Sequence, residues 1–459
     1  MADLTTLTLR EARDLIAAKE LSATELIELT FRRIEETEPT LHAYVRLDQE
    51  RAMACAAEID RGGEEGPLLG VPFGVKDILD TAGLATEAGS RLLAGNVPEC
   101  DAETVRRLRA AGAICIGKHV THEFACGQDD PPSRNPWDLE RYPGGSSAGS
   151  GVSVQAGSSL LALGSDAGGS VRKPACVTAT VGLKATHGRV SGAGTVPQAS
   201  SYSLDHIGTF TRTVGDAAIV LDVLAGYDPQ DPRSIDVPTS SYTDDLAAGI
   251  SGMRIGIAPD AFSADAMQPE VVPLFEAALS VLCGLGAEIV TVELPSFANA
   301  LAALFTIFPS EVSPTHRCWL AERPGDYHER TRRLLQFGAL LPSEHVAQAN
   351  RYRSLMRDEA ARAFTDARLD ALVTPTLPVV PPRLDEMIPG DFGSLIPFTG
   401  PWNLTGQPAI SVPCGLTPSN LPVGLQVVGR PFDEATMLRV AAAYETEAAH
   451  DSRAPLPTV

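Results

Sequence analysis

Apolar residues recur every three or four positions through much of the first 62 residues. In the stretch TLREARDLIAAKELSATELIELTFRRIEETEP this spacing indicates amphipathic helices, because residues three and four apart share one helix face. Ser22, followed three residues later by Glu25, has the pattern of a capping box. The pattern therefore predicts a helical N-terminal section over residues 1–62.

Farther along the chain, short apolar runs alternate with helical patterns. The stretch VRRLRAAGAICIGKHV predicts a helix that ends at Gly112 and a buried strand over 113–116. MRIGIAPD and the stretch PEVVPLFEAALSVLCGLGAEIVTVELP repeat this order of strand, helix and strand. No internal repeat, charge block or long linker interrupts it. We therefore expect one large α/β domain over 1–459, with proline-rich stretches as loops.

The charge of the chain narrows the set of partners. The formal net charge is −21, which repels phosphate backbones and anionic lipid headgroups. The first twenty residues lack the pattern of a signal peptide, and no apolar run reaches the roughly 18 residues of a membrane helix. We expect a cytoplasmic protein that binds neither nucleic acid nor membranes.

The cysteines and histidines do not form a metal-ligand pattern. The eight cysteines are scattered without a Cys-x-x-Cys pair, and they are typical of reduced structural thiols. His119 and His122 are close in sequence but have no third ligand at zinc-site spacing. The sequence therefore predicts no metal site.

Two clusters rich in glycine and serine lie between residues 142 and 175. GGSSAGSG at 144–151 and GSDAGGSVRKPA at 164–175 flank the apolar segment VSVQAGSSLLAL, which predicts a buried helix or strand. Glycine lets the backbone approach a ligand closely and present its N–H groups. Small hydroxyl residues beside such N–H groups suit a nucleophile that attacks a carbonyl. The clusters predict a catalytic or binding loop rather than a flexible linker.

Other loop chemistries fit these clusters less well. The phosphate-binding pattern G-x-x-x-x-G-K-[ST] does not occur, and GSDAGGS lacks the spacing of a dinucleotide site. No histidine stands out as the base that a Ser-His-Asp hydrolase requires. Lys76 lies in the apolar run GVPFGVKD, where burial would favour its neutral, basic form. An isolated lysine at a strand end more commonly extends to water.

Four motifs in order resemble the amidase signature family: GVPFGVKD, RNPWDLERYPGGSSAGSG, GSDAGGSVRKPACVTATVGLKATHGRVS and NLTGQPAISVPCG. The resemblance runs from the N-terminal helices to near residue 430. It implies a central twisted mixed β-sheet covered by helices on both faces. The signature core would span 70–230, and a variable section over 290–400 would form the pocket. It implies no cofactor and a small-molecule amide or carbamate substrate, and a homodimer stays open because relatives are often dimers.

The resemblance also implies a catalytic triad. Ser170 matches the family's nucleophile, Ser146 matches the bridging serine that follows a cis peptide bond, and Lys76 matches the base. A neutral Lys76 would draw a proton from Ser146, which would draw one from Ser170. This chain of transfers would activate an alcohol without a histidine.

The same resemblance implies roles for the loop around the nucleophile. The backbone N–H groups of Ala167, Gly168, Gly169 and Ser170 itself would hold the oxyanion of the transition state. Asp166 and Arg172 would form an ion pair that fixes the conformation of this loop, although a solvated pair of charges is the simpler alternative.

The resemblance further places two segments at the substrate pocket. Phe124, Cys126 and Gly127 belong to the first segment, and Trp402 belongs to the second, 399–403, with Ile396 shortly before it. Both segments line the acyl site in relatives. We therefore expect these residues to contact the substrate.

The residue at position 396 indicates whether the substrate carries an ammonium group. Glutamine-hydrolysing relatives carry an aspartate where Ile396 stands, and an isoleucine cannot pair with an ammonium group; Asp391 is a nearby alternative carboxylate. Lys173 also departs from the family, which more commonly has an apolar or neutral residue there.

We expect a free-standing hydrolase of apolar or aromatic amides, anilides or carbamates. The alternatives are a glutamine-hydrolysing subunit of an amidotransferase and a non-catalytic scaffold.

Overall fold

The structure is a computed structural model that describes residues 3–62, 65–126, 131–387, 393–450 and 453–454. Two residues of the predicted pocket, Gly127 and Asp391, lie outside the described residues. Within the described ranges, no helix combines the length and the apolar character that crossing a membrane requires.

An eleven-stranded mixed sheet runs through the described part of the chain. Its strands are β1 (Tyr44–Leu47), β2 (Pro72–Lys76), β3 (Ile114–His119), β4 (Leu161–Ser165), β5 (Val181–Lys184), β6 (Ile207–Thr211), β7 (Arg254–Ile257), β8 (Glu288–Thr291), β9 (Ala371–Pro375), β10 (Ala409–Leu416) and β11 (Pro422–Val428). They lie in the order β1-β3-β2-β4-β6-β5-β10-β11-β9-β7-β8. The neighbours β3, β2 and β4 run parallel to one another, whereas the pairs from β4 through to β9 are antiparallel.

Helices cover both faces of this sheet, so the expectation of one large α/β domain is confirmed. The described helices are α1 (Leu9–Ala17), α2 (Ala23–Leu41), α3 (Gln49–Arg61), α4 (Glu103–Ala110), α5 (Ala148–Ala156), α6 (Arg172–Thr178), α7 (Val214–Leu224), α8 (Val271–Gly284), α9 (Ala300–Val312), α10 (Arg317–Glu322), α11 (Glu329–Leu340), α12 (Ser343–Asp366), α13 (Pro401–Thr405) and α14 (Glu434–Ala448). Their apolar faces pack on the strands, for example α5 on β4 and α14 on β10.

Local sequence patterns predicted the elements better than their ends. The capping box is confirmed, since the Glu25 amide donates to Ser22 and the Ser22 amide donates to Glu25. The helix before Gly112 ends at Ala110, and the following strand continues to residue 119 rather than 116. The apolar segment between the two glycine clusters contains both a helix, α5, and a strand, β4.

Strand β3 is longer than predicted because it carries polar residues into the interior. Lys118 is fully buried, and its ammonium donates to the Leu79 carbonyl at 2.5 Å and to Thr86 at 2.7 Å. A buried ammonium with such acceptors is tolerated inside a sheet. The apolar pattern alone gives no sign of this compensation.

Candidate active site

Two parallel strands end side by side at the candidate site. Strand β2 ends at Lys76 and its neighbour β4 ends at Ser165, with Val75 and Leu163 in register. Because the carboxyl ends of parallel strands meet at one edge, both side chains reach the same place. The Lys76 ammonium nitrogen, Nζ, donates to Ser165 Oγ at 2.9 Å and to Ser146 Oγ at 2.7 Å. Sequence analysis predicted the Ser146 partner but not the Ser165 partner.

Ser146 lies in a tight turn just before α5, and the Gly145–Ser146 peptide bond is cis. Gly144 has a φ of 84°, and a Cβ there would lie 2.4 Å from Pro174 Cα. At Gly145 a Cβ would lie 2.2 Å from His122 Nε2. Both glycines are therefore required by close packing, and the turn lies against the start of α6.

Ser170 belongs to the loop between β4 and α6, and the Asp166 carboxylate organises this loop. Asp166 Oδ1 accepts the Gly169 N–H at 2.7 Å, and Oδ2 accepts those of Val171 at 3.2 Å and Arg172 at 3.3 Å. Three amides around Ser170 are thus tied to one buried carboxylate. This arrangement fixes the backbone on both sides of the candidate nucleophile.

The oxyanion prediction needs a correction at Gly169. The Gly168 carbonyl accepts the Thr399 hydroxyl at 2.8 Å, and the Gly169 N–H of the same peptide unit donates to Asp166. This N–H is therefore satisfied inside the loop. The amides of Ala167 and Gly168 have no hydrogen bond in the part of the chain that the structure describes, and both residues are partly exposed. The Ser170 amide likewise has no hydrogen bond among the described residues, so these three amides remain as donors for an oxyanion.

Asp166 and Arg172 form a fully buried ion pair. Arg172 Nη2 lies 2.9 Å from Asp166 Oδ1, and the guanidinium also donates to Asn403 and Gln426 at 2.7 Å each. Burial alone would raise the pKa of Asp166, but the Arg172 charge outweighs it and holds that pKa well below its usual range. The loop therefore rests on a carboxylate that stays ionised, and the solvated alternative does not apply.

Lys76 is completely buried, and burial lowers its pKa from 10.5 to about 7. The negative charges of Asp205 and Asp166 oppose this shift, whereas the positive charge of Lys173 adds to it. A substantial fraction of the Lys76 amine is therefore neutral near pH 7. A neutral amine 2.7 Å from Ser146 Oγ can accept its proton.

Ser170 lines a cavity of about 80 Å³. Helices α9 and α11 supply most of the apolar wall, including Leu304, Phe308 and Leu334, and Ile396 adds to it. The described lining is apolar apart from Ser170 and Lys173. The Ser146 and Ser170 hydroxyls are not hydrogen-bonded to each other among the described residues, so of the two serines of the predicted triad only Ser146 is bonded to Lys76.

Three of the predicted pocket residues do not line this cavity. Trp402 is fully buried and packs on Phe297 with ring centroids 5.1 Å apart. Phe124 is likewise fully buried, in a cluster of aromatic rings. Cys126 is 1% exposed, and the residue of that segment that lines the cavity is Ala125. Large aromatic side chains at these positions gain more from close packing in the core than from a site open to water.

Comparison with known proteins identifies the family. A family model described as Amidase matches residues 25–438. The chain belongs to the amidase signature family. An amidase of Pseudomonas putida is 42% identical over 467 residues, covering 99% of each chain. A glutamyl-tRNA(Gln) amidotransferase subunit of Myxococcus xanthus (strain DK1622) is 41% identical over 483 residues, covering 98% of each.

A solved structure agrees with this assignment. It is described as a vestigial protein complex that reveals the origins of an s-triazine catabolic enzyme. It superimposes with a TM-score of 0.90 at 31% identity and covers 98% of this chain and all of that one. The family to which the chain belongs is one of amide hydrolases.

The buried ion pair of this amidase gives a testable stability effect. Replacing Arg172 with methionine leaves the Asp166 charge buried without its partner, and we expect the free energy of unfolding to fall by about 3 to 5 kcal/mol. Chemical denaturation measures this loss. The double variant with Asp166→Asn removes the unpaired charge and should recover part of it.

A surface pair provides the matched control. Arg333 and Glu329 form an ion pair with side chains 74% and 61% exposed, so Arg333→Met should change stability little. Equal losses for Arg172→Met and Arg333→Met would contradict the structural role given to the buried pair.

Proposed function

We propose that this chain is a free-standing hydrolase that cleaves the C–N bond of amides, anilides or carbamates through an acyl-enzyme at Ser170. The observation that carries this proposal is the buried hydrogen bond between Lys76 and Ser146 at 2.7 Å. It links a lysine of lowered pKa to a serine whose turn packs against Pro174 in α6, the helix that follows Ser170. This arrangement supplies a base for a serine nucleophile without a histidine.

In the proposed first half-reaction, the Ser170 oxygen attacks the substrate carbonyl carbon. Its proton passes to Ser146, whose own proton passes to the neutral Lys76 amine. The C–N bond then breaks, and Ser146 gives its proton to the departing amine while Lys76 returns one to Ser146. The products of this step are the free amine and an ester on Ser170.

In the second half-reaction, a water molecule attacks the ester by the same route. It gives one proton through Ser146 to Lys76, and its oxygen bonds to the acyl carbon. The ester bond then breaks, and the proton returns to the Ser170 oxygen. The sum of both steps is amide plus water giving a carboxylic acid and an amine. The Ala167, Gly168 and Ser170 amides would hold the oxyanion in both steps, each donor being typically worth about 3 kcal/mol.

The walls of the cavity support apolar or aromatic substrates. Leu304 and Ile396 lie beside Gly168, because a Cβ at Gly168 would be 3.5 Å from Leu304 Cδ2 and 3.8 Å from Ile396 Cδ1. Apolar substrate surface buried here would contribute about 25 cal/mol per Å². An unpaired ammonium group beside these side chains would be costly.

Glutamine hydrolysis within an amidotransferase is the second candidate function. The 41% identity to a glutamyl-tRNA(Gln) amidotransferase subunit favours it, and it would bring a partner protein. Ile396 opposes it, since that side chain cannot pair with the α-ammonium of glutamine. Purification from the native host decides between them: a stoichiometric second protein supports the amidotransferase, whereas the chain alone or as a homodimer supports the free-standing enzyme.

The direct test of the proposal is a substrate panel combined with a serine-reactive probe. The purified chain should hydrolyse aryl amides or aryl carbamates faster than primary amides of polar acids. An organophosphonate probe should label Ser170, as located by mass spectrometry of the peptide. A chain that takes up no label and cleaves no member of the panel would be a non-catalytic scaffold.

The Ile396 position gives a specificity prediction. We expect wild-type protein to have a higher kcat/KM for an aryl amide than for glutamine. Ile396→Asp should shift this ratio toward glutamine by roughly tenfold, because the new carboxylate can pair with the α-ammonium. Ile396→Asn, which is polar but uncharged, and Leu334→Asp, which places a carboxylate elsewhere on the wall, are the controls. A wild-type preference for glutamine would contradict the prediction.

A further inference from the structure

Lysine is scarce in this chain and is used mainly in the interior. The sequence has five lysines against 32 arginines. Lys19 is exposed, whereas the other four are buried. Burying an ammonium is costly unless it gains hydrogen bonds or a counter-charge. Each buried lysine therefore requires an identified partner.

Three of the four buried lysines have hydrogen-bonding partners within the protein. Lys76 donates to Ser146, Lys118 donates to Thr86, and Lys184 donates to the Gln407 carbonyl. Lys173 is only 7% exposed but lacks such a partner among the described residues. Its ammonium has no hydrogen bond and no ion pair in the described ranges, and it lies 5.7 Å from the centroid of the Tyr142 ring.

A contact with a ring face does not satisfy the three N–H donors of an ammonium. Asp166 is the acidic group whose charge acts on Lys173, but its carboxylate is already held by Arg172 and by three backbone amides. Lys173 therefore keeps an unmatched positive charge in the folded protein. An anion from outside the chain could match it.

The position of Lys173 shows where that anion would bind. Lys173 follows Ser170 by three residues and lines the same cavity, which Ala125 and Ile396 line as well. A molecule that fills the cavity next to the nucleophile is therefore adjacent to this ammonium. The rest of the described lining provides no second charged group.

We propose that Lys173 binds a carboxylate of the substrate, so that the preferred substrates are amides that carry an apolar segment and a negatively charged group. This inference rests on the function proposed above and names its substrate class. The apolar walls would hold the hydrocarbon part, and Lys173 would determine which end of the molecule enters. An amino acid amide would leave its ammonium beside Ile396, where no described group of the lining pairs with it.

The protonation states of the two site lysines are compatible with separate roles. Burial lowers the pKa of Lys173 to about 8, with Asp166 opposing the shift, and that of Lys76 to about 7. The Asp166 charge favours the cationic form of Lys173, which binds an anion, whereas burial favours the neutral form of Lys76, which accepts a proton.

Paired chromogenic substrates test the proposal. Glutaryl p-nitroanilide and pentanoyl p-nitroanilide share a leaving group and a five-carbon acyl chain, and only the first carries a carboxylate. We expect wild-type kcat/KM to favour the glutaryl compound. Lys173→Met should lower this selectivity ratio by roughly tenfold to a hundredfold, the range for a hydrogen bond to a charged group. Lys173→Arg keeps the charge and should retain part of the preference.

A second pair places the carboxylate on the amine side: 4-(pentanoylamino)benzoate against pentanoyl anilide. Because each measurement is a ratio of two substrates at one pH, a change in the Lys76 pKa cancels. A Lys173→Met effect on either pair supports the proposal and shows which side of the scissile bond Lys173 contacts. Selectivity ratios that stay constant in both pairs would overturn it. Lys19→Met, which removes an exposed lysine, is the matched control.

Binding without turnover separates this proposal from the proposed function. In Ser170→Ala protein, calorimetry should give a lower Kd for glutaramate than for pentanamide. Adding Lys173→Met should abolish this difference in affinity. Equal binding of the two amides before the Lys173 change would overturn the carboxylate site. If wild-type protein cleaves no amide but Ser170→Ala protein shows the difference, the hydrolase proposal fails and the anion site stands.

Discussion

Replacing Ser170 with alanine is expected to lower kcat by at least about ten-thousandfold. The hydroxyl that would form the acyl-enzyme is lost, whereas the Asp166 hydrogen bonds that shape the loop go to neighbouring amides. Ser170 is partly exposed in the cavity, so the smaller alanine creates no buried void. We therefore expect this variant to lose its activity while its thermal stability stays close to that of the wild type.

Hydrolysis of an aryl anilide, labelling by an organophosphonate and thermal unfolding would be measured on the same preparations. Ser153→Ala is the matched control, because it removes a buried hydroxyl that bonds to the Ser150 carbonyl within α5. We expect the control to keep its activity and its labelling. A Ser170→Ala protein that retains more than a trace of the wild-type rate would refute the assignment of the nucleophile.

Sequence reasoning found the elements of the site because short motifs encode them. The apolar run that ends at Lys76 allowed either a buried lysine or one that extends to water, and in the structure β2 is buried along its whole length. The glycines at 144 and 145 indicated a tightly packed backbone, and each lies too close to a neighbour for a side chain. These features are local, so a single stretch of sequence reveals them.

The lining of the pocket could not be predicted in the same way, because it depends on tertiary packing. Leu304 and Phe308 on α9 belong to an apolar helical pattern that is typical of any core-facing helix. Trp402 looked like a substrate wall, yet it packs into the core, while Ile396, six positions earlier, faces the cavity. Only the arrangement of α9, α11 and the loop at 393–400 distinguishes these cases.

The hydrogen bonds of Ser165 and Gly169 also depend on tertiary packing and could not be predicted from the sequence. Ser165 lies within the second glycine-rich cluster, but its contact with Lys76 arises because β2 and β4 are parallel neighbours. The Gly169 amide looked equivalent to those of Ala167 and Gly168 in sequence. The orientation of one peptide plane, fixed by Thr399 and Asp166, separates it from them.

Replacing Lys76 with methionine is expected to lower kcat by about a thousandfold, since it removes the proposed base. Lys76→Arg should be similarly inactive, although arginine keeps a positive charge and hydrogen-bond donors. A guanidinium does not lose its proton in a protein, so it cannot accept one from Ser146. An active Lys76→Arg variant would show that position 76 contributes charge rather than basicity. Lys19→Met again serves as the control.

The neutral form of Lys76 also predicts the pH dependence. Since burial lowers the pKa of Lys76 to about 7, kcat/KM should fall about tenfold per pH unit below that value and level off above it. The chain has only five lysines, so NMR of protein labelled at the lysine Cε carbon can follow each titration separately. The inflection of the rate should coincide with the titration of the signal that Lys76→Met removes. A rate that stays high at about pH 5, or a Lys76 signal that titrates near 10.5, would exclude the neutral-lysine mechanism.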